Sequence, residues 1–129
     1  MQEGVALQHI LGSPQESRGC AAEQLMAAYE DGWSLRRKTT IRLGARDSRA
    51  IEVTLLAGVE YSASLCGDGS SQDLSLEILD DTNQVVGTSD AQGLVDFTVP
   101  ETGRYWVVTH NGKLREGWVS AVDISLRYR

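Results

Sequence analysis

From residue 39 to the C-terminus, apolar and polar residues alternate in short runs that are separated by turn-forming residues. Alternation with a period of two predicts strands with one buried and one solvent-facing side. The runs recur at a spacing of about 8 to 12 residues, without helical segments between them, which predicts a mainly β protein of seven to eight strands. Such a protein is an antiparallel sandwich or barrel and not a parallel α/β fold. The predicted strands are 40–43, 50–55, 59–65, 74–78, 85–86, 94–99, 105–109 and 118–126.

One N-terminal α-helix is predicted ahead of the strands. Ser13 suits the N-cap, Pro14 suits the first helical position, and Glu16 can reach back to the cap. Gly32 is the natural stop, and the low helix propensity of Gly19 favours a start just after it. The apolar face of this helix is predicted to contain Ala21, Leu25, Tyr29 and, as a further candidate, Ala28.

A helix of this length is not stable alone, so its apolar face must pack on the rest of the chain or on a partner. We therefore divide the 129 residues into a lead segment and helix over 1–36, packing on the sandwich, and a β-sandwich domain over 37–129. The 41% hydrophobic and 23% charged fractions are typical of a folded soluble protein. No apolar run approaches the roughly 18 residues of a membrane span. The first residues also lack the regions of an intact signal peptide.

Charge is unevenly distributed along the chain. The formal net charge of −6 disfavours a nucleic-acid partner. Residues 50–103 contain no lysine or arginine, although ten acidic residues fall there. The preceding segment is basic, and it is either a patch for an acidic partner or an exposed strand and turn that complements the acidic strands. Its basic residues are Arg36, Arg37, Lys38, Arg42, Arg46 and Arg49.

The two cysteines, Cys20 and Cys66, are compatible with one disulfide. The alternative is a pair of buried, reduced thiols of the kind that cytosolic proteins often contain. The sequence leaves both alternatives open. A bridge, if formed, would tie the helix to the sandwich.

Four segments resemble a known family in their order and spacing. Residues 56–61 look like a turn followed by a Gly-x-x-Tyr strand start, and residues 73–80 are similar to an Asp-Leu-x-Leu-x-Leu-x-Asp strand. Residues 99–107 look like an element with proline, glycine and tyrosine at fixed spacing, and Gly117 and Trp118 lead the last strand. Over about residues 50–129, the chain thus resembles the bacterial pre-peptidase C-terminal domains, whose relatives include collagen-binding modules of clostridial collagenases.

This resemblance implies a jelly-roll-like β-sandwich in a secreted or periplasmic protein, where it serves as a non-catalytic binding or accessory module. The implied ligand is a protein or polysaccharide polymer, and the alternative is a structural or assembly domain whose helix docks on a partner chain. Two features depart from the family. The segment 36–49 is basic where some members carry acidic calcium ligands, and the family does not require the preceding helix.

Calcium is the one candidate cofactor. It needs six to eight oxygen ligands, and several aspartates lie near predicted strand ends. These residues also favour turns, so the alternative is a set of solvated loops. The candidate metal ligands are Asp68, Asp73, Asp80, Asp81 and Asp90.

The sequence predicts no enzyme. The two histidines are His9, in the lead segment, and His110, at a strand end before an Asn-Gly turn. A dyad of Cys66 and His110 is the one nucleophilic arrangement left open, and no local motif supports it. Nucleotide-binding and zinc-binding patterns are absent from the sequence.

Exposed aromatic residues are the candidate ligand contacts, because aromatic rings on a sandwich face can stack on sugars or anchor a protein. Tyr105 and Trp106 are adjacent, so their side chains point to opposite faces of a strand. The alternative is that Tyr105 belongs to the core and that the N-terminal helix covers Trp106. The predicted ligand contacts are Trp106, Trp118 and Tyr105.

Overall fold

The described residues form one helix and eight strands, in the order that the sequence predicts. The structure is a computed structural model that describes residues 14–67, 73–112 and 119–129, with helix side chains described from Cys20 onward. The helix and the first four strands are α1 (Pro14–Glu30), β1 (Ser34–Gly44), β2 (Ser48–Leu55), β3 (Tyr61–Gly67) and β4 (Leu74–Leu79). The remaining strands are β5 (Val85–Thr88), β6 (Leu94–Phe97), β7 (Gly103–Asn111) and β8 (Val119–Tyr128).

The strands form two four-stranded sheets. The first sheet has the order β1-β8-β3-β6, and the second has the order β2-β7-β4-β5. All strand pairs are antiparallel. Only β4 and β5 are consecutive neighbours within one sheet, and every other connection crosses from one sheet to the other. This is the strand order of a jelly roll, so the predicted antiparallel, jelly-roll-like β-sandwich with an N-terminal helix is confirmed.

The core lies between the two sheets and is built from the apolar positions of the alternating strands. Alternation along β4 places Leu76 and Ile78 inward, and both are fully buried. On β8, Val122, Ile124 and Leu126 face the core in the same way. The period of two therefore predicted the inward faces of these strands correctly.

Strand β1 begins earlier than its alternation predicts. It extends back to Ser34, which lies inside the segment assigned to the helix region, and it pairs with β8 along its whole length. The added part has mostly exposed polar side chains, and its register shifts between Leu35 and Arg37. Backbone pairing with β8 forms the strand here, so the side-chain pattern carried no signal for it.

Helix α1 begins at Pro14, earlier than the glycine at position 19 suggested, and ends through a glycine as predicted. Gly32 has a positive φ of 88°, and the N–H of Trp33 donates to the carbonyl of Ala28 at 2.9 Å. The N–H of Gly32 donates to the carbonyl of Tyr29, which completes a Schellman motif. Ser13, the predicted N-cap, lies outside the described residues.

The predicted apolar face of α1 is partly wrong. Ala21 is fully buried, and Leu25 and Ala28 are half-buried, but Tyr29 is 78% exposed. Each step of four residues turns a helix by about 40° beyond a full circle, so two steps carry Tyr29 off the face that starts at Ala21. Ala28 lies three residues after Leu25, and this shorter step keeps it on the buried face of the helix. In the part of the chain that the structure describes, no helix has the length and apolarity needed to cross a bilayer.

The helix covers the outer face of the first sheet, where it contacts β8, β3 and β1. A disulfide joins Cys20 in the helix to Cys66 in β3, with the two Cα atoms 5.8 Å apart. Of the two alternatives for the cysteines, the structure contains the disulfide and not two reduced thiols. This bridge ties the helix to the sandwich, as predicted for a disulfide between these positions.

Candidate binding face

The outer face of the second sheet carries Trp106 near its centre. Trp106 in β7 is half-buried, and its cross-strand partners are Glu52 in β2 and Leu79 in β4. Leu79 is paired in turn with the exposed Val85 of β5. Residues directly opposite each other in antiparallel strands have Cβ atoms about 4.5–5.5 Å apart. The row therefore brings an aromatic and two aliphatic side chains together, and we call this surface the Trp106 face.

Charged side chains border the Trp106 face. The Arg104 guanidinium lies 5.9 Å from the centre of the Trp106 ring, within reach of a cation–π contact. Its Nη1 is 3.7 Å from Glu52 Oε1, and both side chains are more than half exposed. An exposed pair of this kind adds little stability. Its effect is to place one positive and one negative group beside the ring, where a partner can reach both.

His110 is held between two polar side chains on the same face. Its Nδ1 is 2.6 Å from the hydroxyl of Ser48, and its Nε2 is 2.6 Å from Glu77 Oε1. Ser48 lies opposite His110 in the β2–β7 register, and Glu77 lies two residues along β4 from Ser75, the β4 partner of His110. With both ring nitrogens engaged, the imidazole has a set orientation.

Sequence reasoning found part of this face. It identified Trp106 but not Arg104 or His110 as part of the face, although alternation along β7 puts all three on one side of the strand. It missed Glu52 and Glu77, because their positions beside β7 depend on the cross-strand register. A local sequence pattern cannot predict the pairing register of two strands that are tens of residues apart in sequence.

The predicted ligand contacts have different outcomes. Tyr105 is 4% exposed and belongs to the core, with its hydroxyl donating to the carbonyl of Glu101 at 2.6 Å. The prediction of Tyr105 as a ligand contact is therefore wrong, and the alternative that placed it in the core is confirmed. Trp106 points to the opposite face, but α1 does not cover it, because the helix lies on the other sheet. Trp118 lies outside the described residues.

The dyad of Cys66 and His110 does not form. The sulfur of Cys66 is bonded to Cys20 on the first sheet, whereas His110 lies on the second sheet beside Ser48 and Glu77. The described residues contain no free cysteine. This nucleophilic arrangement is therefore excluded.

The candidate calcium ligands are spread over the sandwich. Asp80 and Asp81 lie in the turn between β4 and β5, whereas Asp73 precedes β4 and Asp90 follows β5. The two groups are thus separated by about the length of β4, on the order of 20 Å. Asp68 lies outside the described residues. Among the residues that are described, no three His, Cys, Asp or Glu side chains are grouped to hold a metal ion, and a calcium site stays a prediction.

Asp80 organises its turn through one carboxylate oxygen. Its Oδ1 accepts hydrogen bonds from the N–H groups of Thr82 and Gln84, each at 2.9 Å, and from the Thr82 hydroxyl at 2.7 Å. The hydrogen bond from the Gln84 N–H, followed by that from the Thr82 hydroxyl, lowers the pKa of Asp80 below its ordinary value of 3.8. Asp90 forms a similar turn with Gln92 and Leu94. Both aspartates thus have a structural role in the turns.

We expect Asp80→Ala to lower the melting temperature at pH 7 and to lose this effect in acid. Because folding lowers the pKa of Asp80, its carboxylate stabilises the protein above pH 3.8, and the contribution disappears as the pH falls through the lower folded-state pKa. Thermal unfolding followed by circular dichroism from pH 7 to pH 2 measures the difference. Asp81→Ala, at the exposed neighbouring position, is the matched control. A constant difference between Asp80→Ala and wild type over this range would contradict the prediction.

Comparison with known proteins shows a likeness of fold. No protein-family model matches the chain. No curated protein matches its sequence. The structure is similar to that of PliG from Aeromonas hydrophila, a periplasmic inhibitor of g-type lysozyme, with a TM-score of 0.62 and 14% identity over 72% of this chain and 85% of that one.

Two further structures show the same likeness. PliG from Salmonella Typhimurium, also a periplasmic inhibitor of g-type lysozyme, has a TM-score of 0.54 and 12% identity, covering 72% of this chain and 86% of that one. The pre-peptidase C-terminal domain of collagenase from Bacillus anthracis has a TM-score of 0.49 and 10% identity, covering 69% of this chain and 88% of that one.

Proposed function

We propose that this protein is a non-catalytic binding module of an exported bacterial protein, and that it recognises a protein or polysaccharide partner with the Trp106 face. The observation that carries the proposal is the half-buried Trp106 on an outer sheet face that α1 leaves uncovered. The outer face of the first sheet is occupied by the helix. The Trp106 face therefore offers a partner an aromatic ring, neighbouring aliphatic side chains and charges of both signs.

An exported location is supported by the disulfide and by the similar structures. A bridge such as Cys20–Cys66 persists in oxidising compartments and is rare in the cytosol. The PliG proteins of the same fold are periplasmic. We therefore place the protein in the periplasm or outside the cell.

Of the two partner classes, a protein has the more direct support. The PliG structures belong to inhibitors of a lysozyme, which is itself a protein. The charge arrangement on the Trp106 face also suits a protein surface, because Glu52, Glu77 and Arg104 present both signs within one patch. A polysaccharide would use the Trp106 ring as a stacking surface and the same polar groups as hydrogen-bond partners.

A second candidate is an assembly domain that docks on a partner chain through α1. Met26 and Tyr29 are large apolar side chains that point outward from the helix, and both are mostly exposed. The other side of the helix already packs on this chain's own sandwich. Light scattering distinguishes the two functions, since an oligomer that dissociates in Met26→Ser would favour assembly.

We expect Trp106→Ala to weaken binding by about 10-fold or more, as for a central aromatic contact. The probes are purified g-type lysozyme and the ligands found on peptide and glycan arrays, with affinities measured by interferometry. Tyr29→Ala, which removes an exposed aromatic ring on the helix, is the matched control and should leave the affinity unchanged. A protein that binds none of these probes, or an equal affinity for wild type and Trp106→Ala, would argue against the proposal.

A further inference from the structure

An apolar groove opens at the end of the core where β2 finishes and β3 and β8 meet. Its volume is about 310 Å³. Leu56 and Tyr128 are 51% and 40% exposed at its mouth, although both are large apolar residues. We call this feature the end groove. It is lined by Arg36, Thr54, Leu56, Val59, Tyr61 and Tyr128.

The walls of the end groove are held by the fold. Tyr128 is the last residue of β8 and pairs with both Ser34 of β1 and Tyr61 of β3. The hydroxyl of Tyr61 accepts a hydrogen bond from the N–H of Leu56 at 2.8 Å, which joins the end of β2 to the start of β3. A groove with fixed walls needs little ordering when a partner enters it.

Arg36 of β1 lines this opening, and the irregularity in β1 brings the next residue, Arg37, to the same side of the strand. The register of β1 shifts between Leu35 and Arg37, so the consecutive residues Arg36 and Arg37 both reach the edge of β2. Arg36 Nη2 donates to the carbonyl of Thr54 at 3.3 Å, and Arg37 Nη1 donates to the carbonyl of Glu52 at 3.1 Å. The first bond holds the Arg36 guanidinium at the groove, and the second holds Arg37 two residues further along β2; neither guanidinium forms an ion pair with a carboxylate of the described residues.

The nearby carboxylates are engaged elsewhere. The Glu52 carboxylate pairs with Arg104 on the Trp106 face, and Glu60 accepts a hydrogen bond from Arg129 at 2.8 Å. Among the described residues, no ion pair joins the basic segment 36–49 to the acidic strands. For the described residues, the interpretation that the basic segment 36–49 forms ion pairs with the acidic strands is therefore not supported. The positive charge at the end groove therefore remains available to the carboxylates of a binding partner.

We propose that the end groove docks a protein segment that carries one apolar side chain flanked by carboxylates. The apolar side chain enters between Leu56, Val59 and Tyr128, and the flanking carboxylates meet Arg36 and Arg37. A charge beside an apolar anchor selects such a segment over a neutral or basic one. This site is separate from the Trp106 face, because it lies at the end of the core and not on the outer side of the second sheet.

The test uses a fluorescein-labelled peptide with one leucine flanked on each side by glutamates, in fluorescence polarisation with the full chain. We expect saturable binding of this peptide and none of two companions, one with alanine for leucine and one with lysine for glutamate. Arg36→Glu and Leu56→Ser should each weaken binding by about 10-fold or more. Arg36→Gln, which removes the charge alone, is the second variant if Arg36→Glu fails to fold by circular dichroism.

The matched controls make the same substitutions elsewhere. The control for the charge is Arg42→Glu, because Arg42 lies on β1 about 20 Å from Arg36, beyond a Debye length at physiological salt. The control for the apolar side chain is Val85→Ser, which removes an exposed aliphatic side chain from the Trp106 face. Both should bind the peptide as wild type does, and so should Trp106→Ala. Absence of saturable binding, equal binding of the alanine peptide, or equal loss in Arg42→Glu would overturn the proposal. None of these outcomes tests the proposal that the Trp106 face binds a partner.

Discussion

Replacing Cys20 and Cys66 together with serine is expected to lower the free energy of unfolding by about 3 to 4 kcal/mol. The disulfide joins positions that are 46 residues apart, so it restricts a long loop in the unfolded chain. The interface that it crosses contains few large apolar side chains on the helix side, chiefly Leu25. Urea unfolding followed by tryptophan fluorescence measures the loss.

Wild type in the presence of reductant is the control for this double variant. Reduced wild type and the serine variant should unfold at the same urea concentration, and reductant should not affect the variant. We also expect faster hydrogen exchange in α1 of the variant, because the layer between helix and sheet is largely polar. Within that layer, four polar atoms are buried without a hydrogen-bond partner among the described residues: Gln24 Oε1, Asp123 Oδ2, Ser125 Oγ and Arg127 Nε. An unchanged unfolding midpoint on reduction of wild type would contradict the prediction.

Arg127→Ala is expected to cost about 3 kcal/mol, whereas Arg127→Met should stay within about 1 kcal/mol of wild type. Arg127 is 3% exposed on the helix-covered face of β8, and it donates to the hydroxyls of Ser64 and Ser62 at 2.9 and 3.0 Å. Burial lowers the pKa of its guanidinium, and the charge of Asp96 opposes this shift. Both substitutions remove the donor of the two hydroxyls, but alanine also leaves a cavity, whereas methionine fills most of the volume without a buried charge.

Chemical denaturation of the two variants distinguishes packing from hydrogen bonding at this position. Arg42→Ala, an exposed arginine on β1 of the same sheet, is the matched control and should change stability by no more than about 0.5 kcal/mol. If Arg127→Met were as unstable as Arg127→Ala, the hydrogen bonds to Ser62 and Ser64 would dominate. That result would contradict the expectation that a buried cation adds little net stability.

The candidate sites show how far sequence reasoning reached. It identified Trp106 as an outward-facing aromatic residue, because alternation with Tyr105 needs only the local period of the strand. It did not identify the end groove, where Arg36, Leu56 and Tyr128 come together from three separate parts of the chain. It also missed the buried Arg127, since an arginine near a chain end usually lies at the surface.

The sequence by itself determined the strands, the helix and their order, because apolar alternation, turn residues and a glycine stop act over a few neighbouring residues. The tertiary structure decided which strands pair, which sheet the helix covers and which aromatic face stays open. These features depend on contacts between distant residues, such as Cys20 with Cys66 and Glu52 with Trp106. Their energies arise from cross-strand register and from the closure of long loops, and neither leaves a local pattern in the chain.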